Sequence, residues 1–293
     1  MASLPVSSIS HDRVRTPARR RLHEGQFIAY AALGTLGFLY LYPVLWIVAS
    51  SLRTPGEFFS AGLSLWPESW VWENYATAWT RARFSTYFLN TVIICVTTAV
   101  FVNLFTSMAG YALARFRFPG RGLLLGLILA TFFLPTGYTI IPIFDLVRSL
   151  GLNNTLWAVI LVATANGMIV NTFLYMGYFT TLPQELDDAA RIDGATFPQR
   201  FAWVMFPLAR PMTATVTLLT FVGTWNEFLL PLVFTLGKPE LRTLAIGVYA
   251  FVGENSRDWT AMCAATIITI LPIVLVFLVL QRSFIEGVSG AVK

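Results

Sequence analysis

Charge is scarce in this chain. Only 12% of its 293 residues are charged, about half of the roughly 25% typical of a soluble globular domain. A soluble enzyme or a disordered chain needs more polar surface than that. Cysteine is nearly absent. Cys95 and Cys263 both lie inside apolar runs, so they read as small core hydrophobes and a disulfide scaffold is excluded. Histidine is as rare. His11 and His23 both precede the first apolar run, which excludes a histidine-based catalytic or metal centre in the apolar bulk. A G-x-x-x-x-G-K-S/T phosphate loop is missing too. Lys238 follows Gly237, but Leu232 stands where the first glycine is needed and Pro239 where the hydroxyl is. The chain is therefore expected to be no enzyme, to use no cofactor or metal, and to leave ATP to other chains.

Hydrophobicity is abundant: 56% of residues, with a mean hydropathy of +0.66. Such a surplus calls for membrane spans of about 20 apolar residues each. Six stretches qualify, near Phe27–Ser51, Thr86–Ala114, Gly122–Phe144, Asn154–Phe179, Phe201–Phe234 and Trp259–Gln281. The expected fold class is an all-α integral membrane protein with six transmembrane helices. The first run exceeds the apolar core of about 7–15 residues in a cleavable signal peptide, so it reads as an uncleaved span. Pro43, Pro135, Pro142, Pro231 and Pro272 sit in or at the ends of spans. Each removes a backbone donor and predicts a kink or interruption nearby.

Basic residues set the orientation. Arg13, Arg15, Arg19, Arg20 and Arg21 crowd the N-terminus, and Arg115, Arg117 and Arg121 fill a short loop. With that tail inside, thirteen Lys and Arg fall on the inner side and seven on the outer. The bias places both termini in the cytoplasm. The expected organisation is a disordered basic cytoplasmic tail over 1–24, a transmembrane domain over 25–282 and a cytoplasmic C-terminal tail over 283–293. Two outer loops are long. Arg53–Ser85 carries Trp66, Trp70, Trp72 and Trp79, which suit either the headgroup level or a docking surface for an external protein. Gly237–Asp258 is either a connector or a reach toward a partner or pathway.

The most unusual stretch is Thr181–Pro211, TLPQELDDAARIDGATFPQRFAWVMFPLARP, on the inner side. Thr181 and Gln184 have capping-box spacing, and Pro183 tolerates the first helical turn. Glu185, Asp187 and Asp188 put negative charge at the positive end of a helix dipole. Gly194 offers a left-handed stop. The pattern predicts a short helix over Pro183–Asp193. Leu186, Ala189, Ala190 and Asp193 share one face, and the alanines allow close approach of a partner. A loop helix lying against its own protein fits the spacing equally well.

This stretch resembles the EAA loop of the membrane subunits of bacterial ABC importers, a Glu-Ala-Ala followed three residues later by Gly. Asp188-Ala189-Ala190-Arg191-Ile192-Asp193-Gly194 matches, with Asp188 in place of the usual Glu. The similarity extends to the carbohydrate branch, the MalG-like permeases. Its motifs here include Gly151-Leu152-Asn153-Asn154-Thr155, Phe206-Pro207-Leu208 with Pro211, and Trp225-Asn226-Glu227-Phe228. Thr243-Leu244 and Gln281-Arg282-Ser283-Phe284 follow in family order. The resemblance begins near Phe27 and implies a type I ABC importer permease fold in a bacterial plasma membrane. It implies partners: a second homologous permease, two cytoplasmic ATP-binding subunits and an extracytoplasmic sugar-binding protein. The EAA loop, about 181–200, would couple to an ATPase through Glu185, Asp188, Ala189, Ala190, Arg191, Asp193 and Gly194. The substrate class implied is a sugar or oligosaccharide.

Ionisable groups inside spans are costly and mark function by default. Glu227 is the prominent one. With Trp225 and Asn226 it either lines a sugar pathway or forms an interfacial anchor. Asn103, Asn166 and Asn171 suit hydrogen bonds between helices. The alternative function is a secondary transporter driven by an ion gradient. It calls for buried carboxylates or histidines near the membrane centre, where this sequence offers only Glu227, off centre.

Overall fold

The computed structural model describes residues 24–81, 83–131, 133, 139–249, 251 and 258–291. The basic tail with its arginines and both histidines, Pro135, Gly137, Gly253, Arg257 and Lys293 lie outside them. The regular structure of the described residues is helical, joined by turns and loops, with no strand among them. In order the helices are α1 Glu24–Ser50, α2 Pro55–Ser60, α3 Glu73–Arg81, α4 Phe84–Arg115, α5 Arg121–Thr131, α6 Ile140–Ser149 and α7 Leu156–Thr181. There follow α8 Glu185–Ile192, α9 Phe197–Gln199, a π-helical turn Arg200–Met205, α10 Phe206–Leu208, α11 Arg210–Trp225, α12 Leu229–Phe234, α13 Leu244–Tyr249 and α14 Trp259–Ala291. The chain divides into two compact units, one through Leu45 and one from Trp46 onward. The first consists of most of α1 among the described residues.

Among the described residues, four helices are long and apolar enough to cross a membrane: Gln26–Ser50, Phe84–Arg115, Leu156–Thr181 and Trp259–Arg282. Two expected spans take another form. The stretch Gly122–Phe144 is not one helix. α5 stops at Thr131 and α6 starts at Ile140. At 1.5 Å per residue each is far shorter than the roughly 30 Å hydrocarbon layer. The stretch Phe201–Phe234 is divided as well. Phe197–Leu208 forms one rod through the π turn, then bends by 77° into Arg210–Trp225. Pro207 and Pro211 flank the bend, so backbone donors are missing on both sides of Ala209. At Pro43 and Pro272 the helices continue unbroken. Membrane helices tolerate proline where neighbours absorb the freed carbonyl. α14 runs past residue 282 without a break, to Ala291.

α4 and α7 are parallel neighbours. Phe101 stacks on Trp157 near the start of α7, Tyr111 packs on Phe179, and Arg115 donates to the Leu182 carbonyl just beyond its end. Parallel neighbours require the connection to return along their length. α5 begins beside the C-terminal end of α4, where Arg121 Nε donates to the Leu113 carbonyl at 2.9 Å. Val147 of α6 packs with Ile94 and Phe234 toward the other end. α11 runs against α4: Ala209 packs with Tyr111, and Trp225 with Phe88. α8 and α9 sit at the end reached by the C-termini of α4 and α7.

Small residues allow the α4–α7 crossing, as is usual between helices in lipid. A Cβ at Gly110 would stand 2.6 Å from Tyr175 Cβ and 2.8 Å from the Met176 nitrogen. Polar side chains then join three helices. Asn103 Nδ2 donates to Thr217 at 3.0 Å, and Tyr175 Oη lies 2.6 Å from Asn103 Oδ1 and 3.0 Å from Thr213 Oγ1. So Asn103 does bond between helices. Asn171 instead donates to the Gly167 carbonyl of its own helix.

The end away from α8 is held by polar clamps. Thr91 accepts from Leu244 N, and Asn90 Nδ2 donates to the carbonyls of Glu240 and Arg242. The described part of the second long loop is thus fastened to α4. In the first loop, Arg53 is fully buried and its Nε lies 3.5 Å from Glu57 Oε1. Glu57 also accepts from Glu68 N at 2.7 Å and from the Ser69 hydroxyl at 2.9 Å. Burial opposes its ionisation, but the hydrogen bonds from Glu68 and Ser69 and the Arg53 charge outweigh burial, holding its pKa below the ordinary 4.5.

Two predictions follow from these contacts. Gly110→Val must separate α4 from α7, and overpacking of this kind costs on the order of 1–3 kcal/mol. Thermal unfolding in detergent should show a lowered Tm, with Gly177→Ala unchanged, since open space surrounds Gly177. The depressed Glu57 pKa stabilises the loop above pH 4.5, and that contribution is lost as pH falls through the folded value below 4.5. Tryptophan fluorescence of the loop should report an acid transition there. Glu57→Gln should remove it and loosen the loop at neutral pH.

Candidate functional site

α8 begins at Glu185, two residues later than expected. Its N-cap is Gln184, which makes no side-chain cap bond. The Thr181 hydroxyl donates back to the Tyr178 carbonyl at 2.8 Å, so the capping box expected from Thr181 and Gln184 does not form. α7 runs through Thr181 and takes that hydroxyl into its own last turn. A Thr–Gln pairing does occur one element later, where Gln199 Oε1 accepts from Thr196 N at 2.8 Å at the start of α9. The C-terminal stop is as expected. Gly194 has φ +82°, with Ala195 N bonded to the Ala190 carbonyl and Gly194 N to the Arg191 carbonyl. That pair of bonds is a Schellman motif.

One face of α8 is bolted down. Asp187 is its buried residue. The Asp187 carboxylate accepts from Tyr111 Oη at 2.8 Å and pairs with Arg200 Nη1 at 3.0 Å. Tyr111 is fully buried, with its ring against Phe116, Phe179, Phe197 and Phe201. Arg200 lies over the Phe116 ring, 5.8 Å from its centroid. The sequence reading took Asp187 only as a charge for the helix dipole. Its signal was the shared face with Ala190, three residues on, which is itself half-buried.

The other face is open. Glu185, Leu186, Asp188, Ala189, Arg191, Ile192, Asp193 and Gly194 are exposed, Ile192 to 86%. Acidic, basic and apolar groups thus stand together on a surface whose back is fixed. Such a face can receive a partner's cleft by mixed polar and apolar contacts.

The second constellation, around Trp225, separates into unlike parts. Trp225 is 1% exposed, donates from its indole to the Thr269 carbonyl at 3.0 Å and packs on Phe221 and Phe88. Its ring faces are taken by the core, which corrects the reading of Trp225 as a pathway surface. Asn226 is exposed and donates to the Val222 carbonyl of its own helix. Glu227 is half-buried, and Oε1 accepts from Leu229 N and Leu230 N at the start of α12. It also lines a groove of about 430 Å³ between α7 and α11. Asn166, Thr220 and Thr224 line the same groove, and the Thr220 hydroxyl is buried without a hydrogen-bond partner. Asn166, Thr220 and Thr224 are the groove residues that sequence reasoning did not bring to Glu227. Their common placement comes from α11 lying against α7. Among the described residues no cluster of His, Cys, Asp and Glu has the arrangement of a metal site.

Residues 103–289 match the model of a family described as binding-protein-dependent transport system inner membrane component. The chain is 38% identical to the diacetylchitobiose uptake system permease protein NgcG of Streptomyces coelicolor, over 89% of this chain and 87% of that protein. It is 34% identical to the melibiose/raffinose/stachyose import permease protein MelC of Bacillus subtilis, over 87% and 92%. It is 32% identical to the maltodextrin transport system permease protein MdxG of the same organism, over 89% and 93%. Among solved structures, a bacterial ABC transporter involved in the import of the acidic polysaccharide alginate aligns with TM-score 0.79 over 90% of this chain and 98% of that one. At 24% identity that likeness speaks for the fold alone. An all-helical, multi-pass architecture, a family match over most of the chain and relatives aligned over nearly their whole length agree: this chain belongs to the binding-protein-dependent transport system inner membrane components, the permease subunits of ABC importers.

Proposed function

We propose that this chain is one of the two membrane subunits of an ATP-driven importer of sugars or oligosaccharides in a bacterial plasma membrane. It forms half of the translocation pathway beside a second, homologous permease. Two cytoplasmic ATPase subunits hydrolyse ATP, and an extracytoplasmic sugar-binding protein delivers the substrate. The relatives reported above support the substrate class, since all three are named for saccharides.

Six crossings with both termini cytoplasmic account best for the helix directions. Parallel α4 and α7 ask for a crossing between them, supplied by α5 and α6. The rod and α11 supply the fifth crossing, α14 the sixth. The excess of Lys and Arg assigns the α8 end to the cytoplasm. α8 then docks on an ATPase through Glu185, Asp188, Ala189, Ala190, Arg191, Asp193 and Gly194. The single observation that carries this reading is the two-sided character of α8, with Asp187 buried and its neighbours exposed. ATP binding would favour one arrangement of the ATPase pair, and α8 would move with it. The groove holding Asn166, Thr220, Thr224 and Glu227 is the passage wall, where amides, hydroxyls and a carboxylate meet sugar hydroxyls. Asn226 stands at its rim.

The test is reconstitution with the ATPases and the binding protein. Asp188→Lys, which reverses an interfacial charge, and Gly194→Leu, which forces a side chain onto a φ of +82°, should abolish co-purification of the ATPases, or lower uptake per ATP by about tenfold or more. Normal assembly with normal coupled uptake in both variants contradicts the docking role. Glu227→Gln should reduce uptake while leaving ATPase association intact; full uptake at full expression would leave Glu227 as a cap for α12 alone. Uptake should stop on ATP depletion and survive collapse of ion gradients. The reverse would select the secondary-transporter alternative.

A further inference from the structure

Asp187 lies on α8, but both of its partners belong to other elements. Tyr111 comes from α4, and Arg200 from the π turn. Phe179 of α7 and Phe197 of α9 close around the Tyr111 ring at 5.6 and 5.4 Å. A second tie flanks the first, since Arg115 Nη2 donates to the carbonyl of Leu182 just ahead of α8. A buried carboxylate stripped of its partners is strongly unfavourable. The hydroxyl, the carboxylate and the guanidinium therefore stay together when one of them is displaced. The rod that carries Arg200 ends at the 77° bend into α11. α11 in turn provides Leu219, Thr220, Gly223 and Thr224 to the groove wall. A continuous run of packed or covalently joined elements leads from the exposed face of α8 to that wall.

We propose that Asp187 is a positioning residue, through which displacement of α8 is passed to α4 and, by way of Arg200, to the rod and α11. The proposal rests on the reading of α8 as the ATPase-docking helix. The neighbouring exposed residues receive the partner; Asp187 turns the partner's movement into movement of the spans. A purely structural role predicts something else: a less stable protein that still imports the normal amount of substrate per ATP.

The experiment measures uptake and ATP hydrolysis together in the complete reconstituted complex, for Asp187→Asn, Tyr111→Phe, Arg200→Gln and the double variant Asp187→Asn/Arg200→Gln. In Asp187→Asn, uptake per ATP hydrolysed should fall by about tenfold, the scale of losing a hydrogen bond to a charged group. ATPase co-purification should persist. Tyr111→Phe and Arg200→Gln should each lower the same ratio, and the double variant should fall no further than Asp187→Asn alone, the signature of groups acting as a unit. An unchanged ratio in Asp187→Asn overturns the proposal. If that variant fails to assemble, the other two decide, because they leave α8 intact; a normal ratio in both overturns it as well. Asp188→Lys, measured alongside, separates the layers. Uncoupling by Asp188→Lys with normal coupling in Asp187→Asn refutes the positioning role and spares the docking role. Silence in both refutes the docking role too.

Discussion

A carboxylate enclosed at the end of an apolar bundle has to be paired, and that requirement organises the α8 end of this protein. Asp187 satisfies it with a hydroxyl from α4 and a guanidinium from the π turn. The cost of leaving any of the three alone is large in a medium of low polarity. One interaction therefore fixes the pitch of α8 and decides which of its residues face outward. Glu185, Asp188, Ala189 and Arg191 are exposed because Asp187 is not.

The rest of the bundle supplies a stiff frame for that fixture. α4 and α7 approach closely at Gly110, where any side chain would strike Tyr175 and the backbone of Met176. Asn103, Tyr175, Thr213 and Thr217 then join α4, α7 and α11 through hydrogen bonds. Polar contacts of this kind between membrane helices are each of modest strength, about 0.6–2 kcal/mol. Here they share residues, so they restrain the same three helices together. The bend at Ala209 is the conspicuous departure from straight helices. Its flanking prolines remove donors where a continuous helix would need them.

Much of this was legible from the residues. Long apolar runs announced α1, α4, α7 and α14, because a span must be about 20 residues long and little else in a chain is. α8 was legible as a helix from its acidic first turn and from Gly194, whose φ of +82° is the conformation its position asked for. Other features were not. Proline alone did not decide the helix breaks: Pro43 and Pro272 sit in unbroken helices, Pro231 lies just after the break between α11 and α12, and the 77° bend lies between Pro207 and Pro211 and just after the π turn. Thr181 looked like a cap and proved to be part of α7, since hydropathy alone cannot fix the last turn of a helix. Trp225 looked available to a sugar, but its exposure depended on α14, more than thirty residues away in sequence. The shared face with Ala190 was too weak a signal to single out Asp187, because its partners are 76 residues before it and 13 after it.

The account turns on which way the open face of α8 looks and what covers it. Ala189 is exposed at the middle of that face, where a single thiol reports accessibility directly. The decisive measurement is labelling of Ala189→Cys by a membrane-impermeant maleimide in oriented vesicles, with the parent chain as background for Cys95 and Cys263. The account predicts labelling from the cytoplasmic side and loss of labelling once the ATPase subunits are bound. Labelling from the extracytoplasmic side, or equal labelling with and without the ATPases, would contradict it.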